Sequence, residues 1–238
     1  MVSAFGTPRP RRADASWRAR LAVVLLLLTL SAAFLTDLGQ SRADAVRCER
    51  FTSQSEARRA VVAPALGKRV VVIGDSWSAG LGLDDAGDAW TSRLSGQVHV
   101  DAFSGSGFSR SASPCDGSWF GARAGRAVAG GADLVVVAGG LNDVDQPVGA
   151  VRAGFARVMR AVGELPVVVV GPASAPSRAG GAPEVDTLLA DLAEAHGAAY
   201  VSTLGLDLPY LEDGLHLSPE GHRAFGDFVA TRLEVLGG

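Results

Sequence analysis

The run Val70-Val71-Val72-Ile73, followed at once by Gly74-Asp75-Ser76, constrains this chain more than any other stretch. Four consecutive β-branched apolar residues leave no face for water. A strand of that kind is buried on both sides, as in a parallel sheet. Gly-Asp-Ser then leaves the strand and turns. A serine at the carboxyl end of a buried parallel strand stands where open α/β sheets bind their ligands. It becomes a nucleophile when a neighbouring group takes its proton. Taken alone, Gly74-Asp75-Ser76 reads better as a turn and helix cap, so the rest of the chain has to decide.

The same kind of run recurs. Residues 98–102 alternate and predict a second strand, and 133–138 predict a third that ends at Gly139-Gly140-Leu141-Asn142-Asp143. Residues 166–170 and 199–202 predict a fourth and a fifth. Helical periodicity fills the gaps. Trp90 and Leu94 share one face of 89–94; Val151, Phe155, Val158 and Val162 share one of 148–162; Leu188, Leu189 and Leu192 mark 185–196. Ser218 caps a last helix with Pro219 in its first turn, and Phe225, Phe228, Val229 and Leu233 face its core side. Strands alternating with helices predict an α/β fold: a three-layer αβα sandwich around a five-stranded parallel sheet. All the strands then end at one edge.

The first 45 residues are different in kind. Arg9, Arg11, Arg12, Arg18 and Arg20 precede an apolar run over 21–35, and Ala43-Asp44-Ala45 follows. This is the pattern of a secretory signal peptide. Ala45 lies far beyond Leu35 for a cleavage site, so an uncleaved signal anchor stands as the alternative, although the run is shorter than the ~20 residues of a membrane span. Either outcome predicts a secreted or extracytoplasmic domain over 68–238, with 46–67 as an arm carrying a short helix over 56–62. Cys48 and Cys115 are the only cysteines. In an exported protein they predict one disulfide, with two buried thiols as the alternative.

The formal charge is −3, and the first 45 residues carry +3, which leaves −6 for the rest. An acidic domain excludes nucleic acid as the main partner. Membrane contact is expected only through the N-terminal segment, if it is uncleaved, and the chain is expected to be a monomer. No zinc-ligand spacing, nucleotide loop or repeat is present, so neither metal nor cofactor is expected.

Three loops at the common strand edge hold Ser76, Gly105 with Gly107, and Asn142. The loop before the last helix adds Asp213-Gly214-Leu215-His216. Serine needs a base, and histidine is the commonest one. His99 lies in a strand, His196 ends a helix, and His222 is expected to face solvent in the first turn of the last helix. His216 alone sits in a loop at the edge, with Asp213 three residues before it to fix its ring. The pair is otherwise ordinary helix-start chemistry. Asn142 offers a neutral amide to an oxyanion, and is otherwise a turn residue. Gly105 and Gly107 allow a close backbone N–H, and otherwise serve turn geometry.

These four blocks, in this order, resemble the SGNH hydrolases, also called the GDSL esterase/lipase family. Gly74-Asp75-Ser76 looks like the nucleophile block, with Trp77 in place of the usual Leu. Phe103-Ser104-Gly105-Ser106-Gly107 resembles the glycine block, with Asp101 where an Asn often begins it. Gly140-Leu141-Asn142-Asp143 and Asp213-Gly214-Leu215-His216 resemble the remaining two. The resemblance runs from about Lys68 to the C-terminus. It implies a flavodoxin-like sheet and a metal-free serine esterase. Ser76 is then the nucleophile, His216 its base and Asp213 the orienting acid. The N–H groups of Ser76 and Gly105 form the oxyanion hole with the Asn142 side chain. The expected substrates are small-molecule, carbohydrate or lipid esters. A silent ligand- or carbohydrate-binding domain and an O-acyltransferase are the alternatives. Trp77, Phe108, Trp119 and Phe120 are expected to wall a small pocket or form a sugar platform, which favours short acyl groups. Alternatively, Trp119 and Phe120 pack under the loop held by Cys115.

Overall fold

The computed structural model of the chain describes residues 13–61 and 66–237. Arg9, Arg11 and Arg12 of the basic start, and Val62 at the end of the predicted arm helix, lie outside the described residues. The chain divides into two compact units, Met1–Val46 and Arg47–Gly238.

The described residues of the first unit belong to a long helix, α1 (Ala13–Arg59). Within α1 lies an 18-residue window of mean hydropathy 2.3, apolar and long enough to cross a membrane, with none of it buried. Leu25, Leu26, Leu27 and Leu28 are all exposed.

The second unit holds the sheet. Its strands are β1 (Arg69–Gly74), β2 (Gln97–Ala102), β3 (Leu134–Ala138), β4 (Val167–Ala173) and β5 (Ala199–Thr203). They lie in the order β2-β1-β3-β4-β5 and pair in parallel throughout. The helices are α2 (Ser76–Ala79), α3 (Phe120–Ala127), α4 (Val148–Val162), α5 (Ala182–Ala195) and α6 (Pro219–Gly237). Alternate strand residues point to opposite faces. Val70, Val72, Val136 and Val170 pack with Trp90, Phe225 and Val229 on one side. Val71, Ile73, Val135 and Val169 pack with Phe120, Phe155 and Leu189 on the other. This is the three-layer arrangement that the sequence predicts. Residues 90–93 form a 3-10 turn rather than an α-helix, and Trp90 and Leu94 are still buried.

The arm differs from its expectation. The predicted helix over 56–62 is the end of α1, and residues 47–59 are packed into the second unit. Cys48 is bonded to Cys115. Phe51 meets the Phe103 ring edge-on at 6.1 Å. The buried Arg58 donates to Thr91 Oγ1 at 2.7 Å. The arm looked mixed and charged in sequence because a helix that buries one narrow stripe leaves most of its residues in water. Closing a loop of 67 residues, the disulfide contributes roughly 4 kcal/mol in the chain-entropy picture.

Gly74, the last residue of β1, pairs with Ala102 of β2 and Ala138 of β3. Asp75 and Ser76 therefore emerge between two neighbouring strands whose connections leave in different directions, the crevice where sheets of this order bind ligands.

Candidate active site

Ser76 opens α2, a single turn that can form so abruptly because Asp75 caps it. The Asp75 carboxylate accepts the Trp77 N–H at 3.0 Å. Burial pushes this carboxyl up to about 6, against the hydrogen bond from Trp77 and the nearby His216 and Arg123. Only 6% of the Ser76 surface is exposed.

The loop after β5 brings His216 to Ser76. Its ring Nε2 lies 3.2 Å from Ser76 Oγ, and its Nδ1 lies 2.6 Å from Asp213 Oδ2. Asp213 Oδ1 also accepts the N–H groups of Leu215 and His216, both at 2.9 Å. What burial there is would raise the Asp213 carboxyl; the bonds from the His216 ring and these two N–H groups outweigh it and hold the group at about 2. Asp213 is therefore an anion at any physiological pH, and an imidazole between it and Ser76 carries its own proton on Nδ1. The Asp213 side chain is 48% exposed, so this anion is partly screened by water.

On the other side of Ser76 lies the glycine loop after β2. Gly105 has φ +77°, a left-handed conformation that favours glycine, and no atom would crowd a Cβ there. Gly107 is a glycine for another reason, since a Cβ would strike the Asp143 carboxylate. Asp143 is buried and accepts the N–H groups of Phe108 at 3.0 Å and Ser109 at 2.8 Å. Burial raises its carboxyl to about 6, those two bonds oppose the rise, and Asp75 adds to it. Asn142, beside Asp143, donates to Ser106 O at 2.9 Å and approaches Asp75 Oδ2 at 3.5 Å. Among the described residues, the Gly105 N–H has no backbone or side-chain acceptor.

Arg123 of α3 holds this side together. It is fully buried, and its guanidinium donates to Ser118 O, Asp101 O, Asp101 Oδ1, Gly74 O and Ser106 Oγ. Asp101 takes a second cation, Arg126, at 2.9 Å. The sequence showed α3 poorly, in a glycine-rich stretch, and a lone Arg on its apolar face carried no sign of burial. Asp101, which departs from the expected Asn, is the partner that makes the burial of Arg123 tolerable.

Two expectations fail here. Phe108 and Phe120 wall no pocket, and Trp77 lines only a cavity of about 20 Å³. Trp77 is 6% exposed and packs on Phe225, while Phe108 and Phe120 are fully buried against each other, Phe155 and the sheet. His222 does not face solvent: it is fully buried, and its Nδ1 accepts the Trp90 N–H at 3.2 Å. Each of these residues points inward because the faces of the sheet need large side chains, a demand that sequence position alone does not reveal. No group of His, Cys, Asp and Glu suited to a metal occurs among the described residues. A cavity of about 750 Å³ opens at the opposite edge of the sheet, between Val70, Leu134, Val168 and Leu233, and shares no residue with this site.

The family model described as "GDSL-like Lipase/Acylhydrolase family" matches residues 72–224, more than half of the chain and all four blocks. The chain belongs to that family. It is accordingly a carboxylic ester hydrolase of the GDSL type. Solved structures agree on the fold. Est24, a carbohydrate acetylesterase from Sinorhizobium meliloti, superposes with a TM-score of 0.55 at 22% identity, over 71% of this chain and 100% of its own. The inhibitor-bound aryl esterase of M. smegmatis gives 0.59 at 16% identity, over 71% and 100%. No curated protein sequence matches the hydrolase closely enough to count as a relative.

Proposed function

We propose that this GDSL hydrolase is an exported, monomeric serine esterase that works through an acyl-enzyme on Ser76. The observation that carries the reading is the continuous line Asp213–His216–Ser76, at 2.6 and 3.2 Å. His216 Nε2 takes the hydroxyl proton as Ser76 Oγ bonds to the ester carbonyl carbon. The carbonyl electrons move to oxygen. The N–H groups of Ser76 and Gly105 and one amide hydrogen of Asn142 receive that charge. Of the two Asn142 hydrogens, the one on the side of Asp75, where Nδ2 and Oδ2 are 3.5 Å apart, is the weakly used one and serves here. The carbon–oxygen bond to the alcohol then breaks, and the alcohol leaves with the proton from His216. Water repeats the sequence on the acyl-enzyme, releasing the acid and restoring Ser76.

Export is supported by the apolar part of α1 and by the Cys48–Cys115 bond, which suits an oxidising compartment. A short acyl group is supported by the inward turn of Trp77, Phe108 and Phe120, which removes three large side chains from the wall of an acyl groove. The acetylesterase and aryl esterase named above act, by name, on compatible esters.

The test uses the full chain and 4-nitrophenyl acetate. Ser76→Ala should lower kcat by at least about 10³-fold, and a serine-directed phosphonate should label Ser76 alone in the wild type. Full activity in the folded variant overturns the reading.

A further inference from the structure

We infer that Trp77, where the family pattern has Leu, is a positioning residue that fixes the His216 loop to the nucleophile turn through its indole N–H. The inference rests on the reading of Ser76 and His216 given above. It begins with the orientation of the ring. Trp77 turns away from solvent, edge-on to Phe225 at 5.2 Å and tilted against Tyr210 at 6.2 Å. In this position its Nε1–H donates to the carbonyl of Leu215 at 3.0 Å. Leucine could fill apolar space here and could not make that bond.

Leu215 O is the middle of three consecutive carbonyls, each held by a different part of the fold. Gly214 O accepts the N–H and hydroxyl of Ser177, from the loop after β4. His216 O accepts the Leu211 N–H, within the loop itself. Among the described residues, only Trp77 reaches the middle carbonyl. The peptide unit that carries it is planar, and its other edge is the N–H of His216, which donates to Asp213 Oδ1. One plane is thus gripped at its oxygen by Trp77 and at its nitrogen by Asp213. The His216 Cα lies on that plane, so the grip sets where the imidazole starts and how far Nε2 reaches.

The neighbour of Trp77 in sequence is Ser76. The indole therefore ties the base to the nucleophile over one residue of covalent chain, independently of their own 3.2 Å contact. When the carbonyl is attacked, His216 must follow Oγ without drifting, and misplacement by a fraction of an ångström is costly in rate. Removing the N–H should therefore act on the chemical step more than on substrate binding.

The experiment compares Trp77→Phe, which keeps a ring against Phe225 and loses the donor, with Trp77→Leu, which loses both. The full-length chain is assayed on 4-nitrophenyl acetate, with rates expressed per site titrated by phosphonate so that unfolded protein does not count. The proton on His216 Nδ1, held toward Asp213, is followed by NMR. Trp77→Phe should lower kcat about 5–10-fold with KM within about twofold, the effect of one lost hydrogen bond, and should broaden the Nδ1 proton by faster exchange with water. Trp77→Leu should lower kcat further. A Trp77→Phe enzyme with wild-type kcat and an unchanged proton signal overturns the inference, whatever its thermal midpoint, and if Trp77→Leu alone is impaired the role is packing. Ser76→Ala, which has no site to titrate and is normalised to folded protein by circular dichroism, separates the two readings. If it is inactive while Trp77→Phe is normal, only the positioning role falls. If it is active, the triad falls with it.

Discussion

The two sides of the cleft are built from different materials. The side that carries His216 is a loop held by hydrogen bonds to its carbonyls, and its acid, Asp213, is half-exposed. The side that carries the glycine loop is held by buried ions: Arg123 with all its donors used, Asp101 between two cations, and Asp143 on two N–H groups. The difference follows from the tasks proposed for them. A base has to follow the proton without drifting, and a loop tied at several carbonyls with its acid near water serves that. Donors to an oxyanion stabilise it most when they need not move as its charge develops. Buried charges with every partner satisfied are stiff, since any displacement exposes an unpaired charge.

The sharpest way to break the comparison is to remove the acid on the flexible side. Asp213→Ala should lower kcat by about 10³–10⁴-fold, by analogy with loss of the orienting acid in other triads. Because the carboxylate is half-exposed, the thermal midpoint should move little. Circular dichroism melts beside kinetics check both halves. A large loss of stability with activity retained would mean that Asp213 is only a loop brace.

Arg123→Met should do the reverse. Removing one partner from a buried ion pair costs about 3–5 kcal/mol, here offset in part because Asp101 keeps Arg126. Urea unfolding should show the loss in the midpoint with little change in slope. If stability falls by less than about 1 kcal/mol, below the cost of leaving one buried polar group unpaired, the rigid side is not held by its ions.

That contrast also explains what the sequence made legible. The groups on the His216 side are close in sequence: Asp213 and His216 are three residues apart, and Ser76 ends an unmistakable strand. The strands themselves were plain, because each is a continuous Val-rich run. The frame of the other side is long-range. Arg123 meets Asp101 and Gly74 across 22 and 49 residues. The His216 side has one such tie as well, Trp77 to Leu215 across 138. No local pattern marks such pairs. Burial of Phe108 and His222 was missed, and that of Phe120 left as one of two alternatives, for the same reason: which face of a short helix or loop points inward is decided by the sheet beneath it.

The smallest effect concerns the second histidine on the base side. His222 is fully buried against Trp90, and its Nε2 has no partner among the described residues. Burial, helped by the nearby His216, lowers it from an ordinary value near 6.5 to about 4. The folded state therefore keeps this ring neutral in a range where the unfolded chain protonates it. Its contribution to stability is complete above about 6.5 and is lost as pH falls toward 4. Asp75 and Asp143 work the other way. Their carboxyls are raised to about 6, so their contribution is complete below the ordinary carboxylate value and is lost as pH rises through 6. The wild-type curve mixes both signs, so only a difference is informative. Thermal midpoints of the wild type and His222→Leu should be measured from pH 7 to pH 4. The wild-type midpoint minus that of the variant should fall steadily over this range, because only the wild type has a buried imidazole to charge. The carboxylates are common to both proteins and cancel. Parallel curves would show that His222 does not take up its proton on unfolding.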